Sequence, residues 1–176
     1  MRYSQLIAAC FKAQPAAILE IGTWNGERAL QMLQVAPGAR YYGFDLFEEA
    51  TDATDAEEMN VKQHWSVADV QKKLHGYPAL LTKGNTRYTL ADFHAPVDFV
   101  WMDGGHSLET IASDFANVRR VATLGALIYL DDFYTGPIDT EQFGCNRLVA
   151  DLKHEVLPAT DPVSGGGFVQ MVRVWL

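Results

Sequence analysis

Short apolar runs alternate with helix-forming segments five times along this chain, and that alternation limits its fold more than any other feature. The runs AILEI (17–21), YYGFDLF (41–47), PALLTKGN (78–85), PVDFVWMDGG (96–105) and ALIYLDD (126–132) read as strands. They are continuously apolar, not alternating, as strands buried on both faces are. A helical segment follows almost every one. The pattern predicts an α/β fold: a doubly wound, mostly parallel sheet covered by helices on both faces. The closing run GFVQMVRVWL (167–176), led by glycines, predicts an antiparallel C-terminal edge strand. At 176 residues the chain matches one domain, 1–176.

Helix boundaries follow from local chemistry. Residues 3–13 carry apolar positions at helical spacing and stop before Pro15; 27–36 are ended by Pro37-Gly38. Ser66 followed by Asp69 is a capping pair opening 66–76, and Ser107 opens 107–122. Residues 146–156 read as a helix stopped by Pro158. Residues 48–64 form a polar connector without strong periodicity.

Charge excludes two classes of partner. The net charge is −8. An acidic chain lacks the basic footprint of a nucleic-acid binder or an attraction to an anionic membrane. Much of the excess lies between Asp45 and Asp69, where eight carboxylates face the single base Lys62. For Glu57 and Glu58 a solvated face is the reading. Two cysteines, Cys10 and Cys145, stand outside any metal-binding spacing and read as buried thiols of a reducing compartment. With no signal-like or membrane-spanning run, the expected location is cytoplasmic.

In open α/β sheets, ligands bind beyond the carboxyl ends of the strands. Those ends carry Glu20-Ile21-Gly22-Thr23-Trp24-Asn25-Gly26, then Asp45, Gly84-Asn85, Asp103-Gly104-Gly105-His106 and Asp131-Asp132. A glycine turn at a helix N-terminus lets a ligand approach the backbone closely. Asp45, about twenty residues on, stands where an acid accepts both hydroxyls of a ribose. Trp24 occupies the place where a dinucleotide fingerprint needs its second glycine, so a ribose without a pyrophosphate fits better.

These motifs resemble the class I S-adenosylmethionine-dependent methyltransferases over nearly the whole chain. The resemblance implies a cofactor site of Gly22, Gly26, Asp45 and Asp103, with Glu20 organising the loop and Asn85 near the adenine. The second half, D-G-G-H at 103–106 with Asp131-Asp132, is similar to the macrocin O-methyltransferase and cephalosporin hydroxylase-like group. That likeness implies divalent-metal-assisted O-methylation of a hydroxyl on a small molecule. Asp103, Asp131 and Asp132 would bind Mg²⁺, and His106 or Asp103 would serve as base. Neighbouring strands lie ~4.8 Å apart, so the acids converge and their repulsion calls for a cation. Oxygen ligands point to Mg²⁺, Ca²⁺ or Mn²⁺. Consecutive strand residues face opposite sides, so Asp131 and Asp132 share an ion only where the strand ends between them. His64, His75, His94 and His154 read as surface residues, Asp114 as a capping or ion-pairing residue or as part of the site, and Tyr134 as a substrate wall. The acceptor pocket needs a cover, which the 48–64 connector or the second subunit of a homodimer would provide.

Overall fold

The computed structural model describes residues 2–60 and 63–176. In chain order its elements are α1 (Tyr3–Ala13), β1 (Ala17–Ile21), α2 (Glu27–Val35), β2 (Arg40–Asp45), α3 (Asp52–Glu57), α4 (Val67–Lys73), β3 (Ala79–Lys83), α5 (Thr86–Thr89), β4 (Val97–Met102), α6 (Leu108–Val121), β5 (Ala122–Thr135), α7 (Gly144–Val149), β6 (His154–Val156), β7 (Asp161–Pro162) and β8 (Phe168–Val174). The sheet order is β3-β2-β1-β4-β5-β8-β6, with β7 also on β8. β3 to β5 pair in parallel, whereas β8 runs antiparallel to β5, β6 and β7. This is the doubly wound sheet with an antiparallel edge that the sequence predicts.

Alternate strand residues feed two cores. Leu19, Ile21, Val100, Met102 and Leu130 pack against Phe115 and Val118 of α6 and Val149 of α7. On the opposite face Ile18, Phe99, Trp101 and Tyr129 pack against Leu6 and Cys10 of α1, Met32 and Leu33 of α2, Val70 of α4 and Leu74 just after it. Each large side chain so buried contributes roughly 1.5–3 kcal/mol, and both layers clamp the strands that position the site. Serine caps begin the helices as expected: Ser66 accepts from the Asp69 amide, and Ser107 from the Thr110 amide.

Three local assignments differ from expectation. The expected helix over 146–156 ends at Val149, and His154–Val156 is strand β6 instead. Pairing with β8 wins there over the apolar spacing of Leu148, Val149 and Leu152. Strand β5 starts at Ala122 and runs through the two aspartates to Thr135. The connector contains the short helix α3, opened by a reciprocal Thr51–Thr54 capping box. Among the described residues no helix is long and apolar enough to cross a membrane.

Candidate active site

The progression of strands reverses between β1 and β4, and their carboxyl ends open the crevice where such sheets bind ligands. Backbones meet very closely there. The Asp103 amide donates to the Ile21 carbonyl (2.8 Å), and a Cβ on Gly22 would lie 2.0 Å from the Asp103 carbonyl oxygen. Gly22 also holds a φ of +87°, so its turn requires glycine. Beside it, Asp45 accepts the Trp24 amide (2.7 Å) and the Phe47 amide (2.8 Å). These bonds fix its carboxylate at the end of β2. Gly22, Trp24, Asp45, Asn85, Asp103 and His106 all line one cleft.

Two expected cofactor residues lie outside that lining. Gly26 begins α2 and packs against Val70. Glu20 is 1% exposed beneath the loop, and takes a hydrogen bond from the Tyr41 hydroxyl. Burial pushes its carboxyl up to about 8; Tyr41 opposes the shift, and Asp103 and Asp45 add to it. Glu20 therefore supports the loop from below as a neutral acid at pH 7. Asn85 uses its side-chain oxygen to cap α5 through the Arg87 amide (2.9 Å) while lining the cleft.

On the other side of the crevice, carboxylates of Asp103 and Asp132 and a ring nitrogen of His106 all lie within 4.8 Å of one another. His106 Nε2 sits 2.7 Å from Asp132 Oδ2. Its Nδ1 donates to the Glu58 carbonyl at 2.6 Å, since a carbonyl only accepts. Burial disfavours charge on the ring, but Asp132, the Glu58 carbonyl and Asp103 outweigh it and push the pKa up to about 9.

Asp131 departs from the expected ligand set. Arg2 Nε donates to Asp131 Oδ1 (2.7 Å) and Arg2 Nη2 to Asp131 Oδ2 (2.8 Å), so both oxygens face a guanidinium. The cause is a bulge: Leu130 pairs with Val172 and Phe133 with Gln170, leaving Asp131 and Asp132 opposite Met171 alone. Asp132 takes a left-handed φ of +59°, which aspartate tolerates better than most residues. Its carboxylate turns to His106 while that of Asp131 turns to Arg2. The donor set that fits a divalent ion is therefore Asp103 and Asp132 with His106 beside them.

The acidic connector builds a wall that the sequence reading only partly anticipated. Thr54, Asp55, Glu58, Asn60 and His64 line the cleft. Glu58 is not a solvated acid. Its carboxylate accepts the Ser107 amide (2.8 Å), the Ser107 hydroxyl (3.1 Å) and the Thr110 hydroxyl, capping α6. A carboxylate at that helix N-terminus also faces the positive end of its dipole. His64, read as a surface residue, pairs with Asp55 (2.8 Å), which also accepts Asn60 (2.9 Å). No local spacing signalled either pairing. Glu57, His75, His94 and His154 are exposed as expected. Asp114 is 1% exposed; burial pushes its carboxyl up to about 7 against a hydrogen bond with Thr86, and among the described residues no ion pair holds it. Tyr134 stacks on Phe143 (3.8 Å between ring centres), with its hydroxyl 3.4 Å from Asp132.

A doubly wound sheet, a glycine turn at its switch point and acids at the flanking strand ends define a Rossmann-like methyltransferase fold. The chain belongs to the methyltransferase-domain family, whose model matches residues 19–133. It is 27% identical over 133 residues to a probable O-methyltransferase of Mycobacterium tuberculosis, covering 72% of this chain and 53% of that protein. The chain thus spans about half the length of that curated relative. Two solved structures share the fold at 16% identity. One is the O-methyltransferase TomG from Streptomyces achromogenes, involved in tomaymycin synthesis, in complex with SAM. Its TM-score is 0.67, with 97% of this chain and 77% of that chain covered. The other is the O-methyltransferase from Bacillus cereus in complex with SAH, with a TM-score of 0.65 and 97% and 78% covered.

Proposed function

We propose that this protein transfers a methyl group from S-adenosylmethionine to a hydroxyl of a small molecule, with a divalent ion assisting. The observation that carries this reading is the shared cleft: Gly22 and Asp45 on one side of the switch point, Asp103 and His106 on the other. The family match and the O-methyltransferase relatives support the same chemistry. Asp45 would accept the ribose hydroxyls, and the Gly22 turn would admit the methionine portion against the backbone. Asp103 and Asp132 would hold the ion, which lowers the pKa of the acceptor hydroxyl when bound. His106 Nε2 holds a proton toward Asp132 in this arrangement and would take the acceptor's proton only from the neutral ring, with Nδ1 kept in place by the Glu58 carbonyl. The chain's remaining contribution is alignment, holding acceptor oxygen and methyl carbon ~3–3.5 Å apart. Connector residues 54–60 would exclude water from above. Two buried cysteines suit the cytoplasm.

Calorimetry with S-adenosylhomocysteine tests the cofactor half. Asp45→Ala removes two charge-assisted hydrogen bonds to the ribose, so binding about tenfold weaker or more is expected. Absence of binding to the natural chain sinks the reading. A metal-independent variant has one specific observation in its favour, the direct His106–Asp132 pair at 2.7 Å. Methyl transfer that survives EDTA would select it.

A further inference from the structure

We propose that Arg2 sets the ion-binding capacity of this site by withholding Asp131 from it. The inference rests on the reading that Asp103 and Asp132 hold a divalent ion. Arg2 engages Asp131 with two nitrogens, and its third, Nη1, donates to Asp161 Oδ2 (2.9 Å). The guanidinium lies over the Tyr3 ring, 4.5 Å from its centre, and Nη2 also donates to the Tyr3 hydroxyl (2.8 Å). Every nitrogen of the fork is thus engaged, and the fork is held in one orientation. Arg2 Nη2 stands 3.9 Å from Asp132 Oδ1, at the border of the ion group without joining it.

A small cavity of about 20 Å³, walled on its apolar side by Ile21, Met102 and Ile111, lies on the inner side of this border. Asp103, His106, Asp114, Asp131 and Asp132 all line it. That volume admits one water-sized species and nothing larger. Asp114 supplies an independent sign of a missing partner. It is 1% exposed, and its Oδ1 has no hydrogen-bond partner among the described residues.

Charge then selects the arrangement. Asp131 is 2% exposed, and a buried carboxylate needs a cation. Arg2 supplies one, so Asp131 is neutralised by a monovalent side chain. Asp103 and Asp132, with His106 against Asp132, make up the donor group left to the ion. Without Arg2, Asp131 would face the same cavity uncompensated, and the nearest available cation would be the ion. The site would then have three carboxylates in place of two. More carboxylate ligands bind hard divalent ions more tightly. Arg2 is thus a positioning residue that keeps the ion weakly held and leaves coordination positions for the acceptor.

The test is titration calorimetry of the full chain with MgCl₂ and with MnCl₂, each alone. Arg2→Gln is expected to bind Mg²⁺ about tenfold more tightly than the natural chain, the gain of one carboxylate ligand. The double variant Arg2→Gln/Asp131→Asn removes that carboxylate and returns affinity to within about threefold of the natural value, and Asp131→Asn alone, to which Arg2→Gln is expected to add no gain, closes the cycle. Loss of structure cannot produce a gain in affinity, and far-UV circular dichroism checks each variant. Arg2→Lys, which gives up the two-point grip, carries the same comparison with a smaller gain if Arg2→Gln does not fold. Natural-chain binding that Arg2→Gln leaves equal or weakens overturns the Arg2 inference and leaves the metal reading standing. Binding by Arg2→Gln alone removes the metal reading from the natural chain and overturns with it the inference that rests on it. No binding by either overturns both.

Discussion

Replacing Glu20 by Gln removes one ionisable proton from the middle of the sheet and little else. Glu20 pairs with Gly43 of β2 and Trp101 of β4, is 1% exposed, and takes the Tyr41 hydroxyl on its side chain. A glutamine of the same size still accepts that bond. The folded carboxyl titrates near 8, against 4.5 when unfolded. Between those values the folded chain keeps a proton that the unfolded chain has lost. Stability from this group is complete below pH 4.5 and falls as pH rises through 8. At about 1.4 kcal/mol for each pKa unit, the ceiling is roughly 5 kcal/mol. Local relaxation around the buried charge reduces that to an expected 2–3 kcal/mol, to order of magnitude. Urea unfolding of both chains from pH 4 to pH 9 gives the difference directly, because other titrating groups cancel. Glu20→Gln should gain stability relative to the natural chain across that range, and level off above pH 8. A difference that stays flat within about 0.5 kcal/mol, the scale of an ordinary neutral substitution, would refute burial as the controlling force on this acid.

Other substitutions probe separate parts of the site. Gly22→Ala drives a methyl group into the Asp103 carbonyl at a positive φ, and should cost more than about 4 kcal/mol; a near-natural urea midpoint would show that β1 and β4 can part. Glu58→Ala should speed hydrogen exchange of the Ser107 amide about tenfold or more, as for a lost cap of ~1–2 kcal/mol. The Thr110 amide, still bonded to Ser107 Oγ, should stay protected. Equal exchange at both amides would mean that Glu58 is not what caps α6. Asp114→Asn should flatten the stability profile between pH 4 and 7, read by the same urea series, because burial holds that carboxyl near 7.

Helix starts and strand ends were legible because their causes are short-range. Ser66 and Ser107 reach amides three residues on, so their side chains announce α4 and α6 whatever packs around them. The acids at 45 and 103 and the Gly22 turn were legible because each ends a continuous apolar run. His154–Val156 was not legible. Those residues suit a helix locally, and only β8 lying alongside makes them a strand. His64 and Glu58 carry no local mark either, since their partners depend on how the connector crosses the strand ends.

Chain order and residue type alone determined the doubly wound sheet, the rim where its polar groups gather and the family that this pattern resembles. Periodicity, caps and turns are local forces, and one sequence carries them in full. Tertiary structure alone decided which of two adjacent aspartates pairs with His106 and which with Arg2. Asp131 and Asp132 are identical in type and neighbours in sequence. A bulge opposite Met171 turns one toward His106 and the other toward Arg2, which stands 129 positions away along the chain. Their difference is one of backbone direction and of the charge each meets, and both arise only when distant segments pack together.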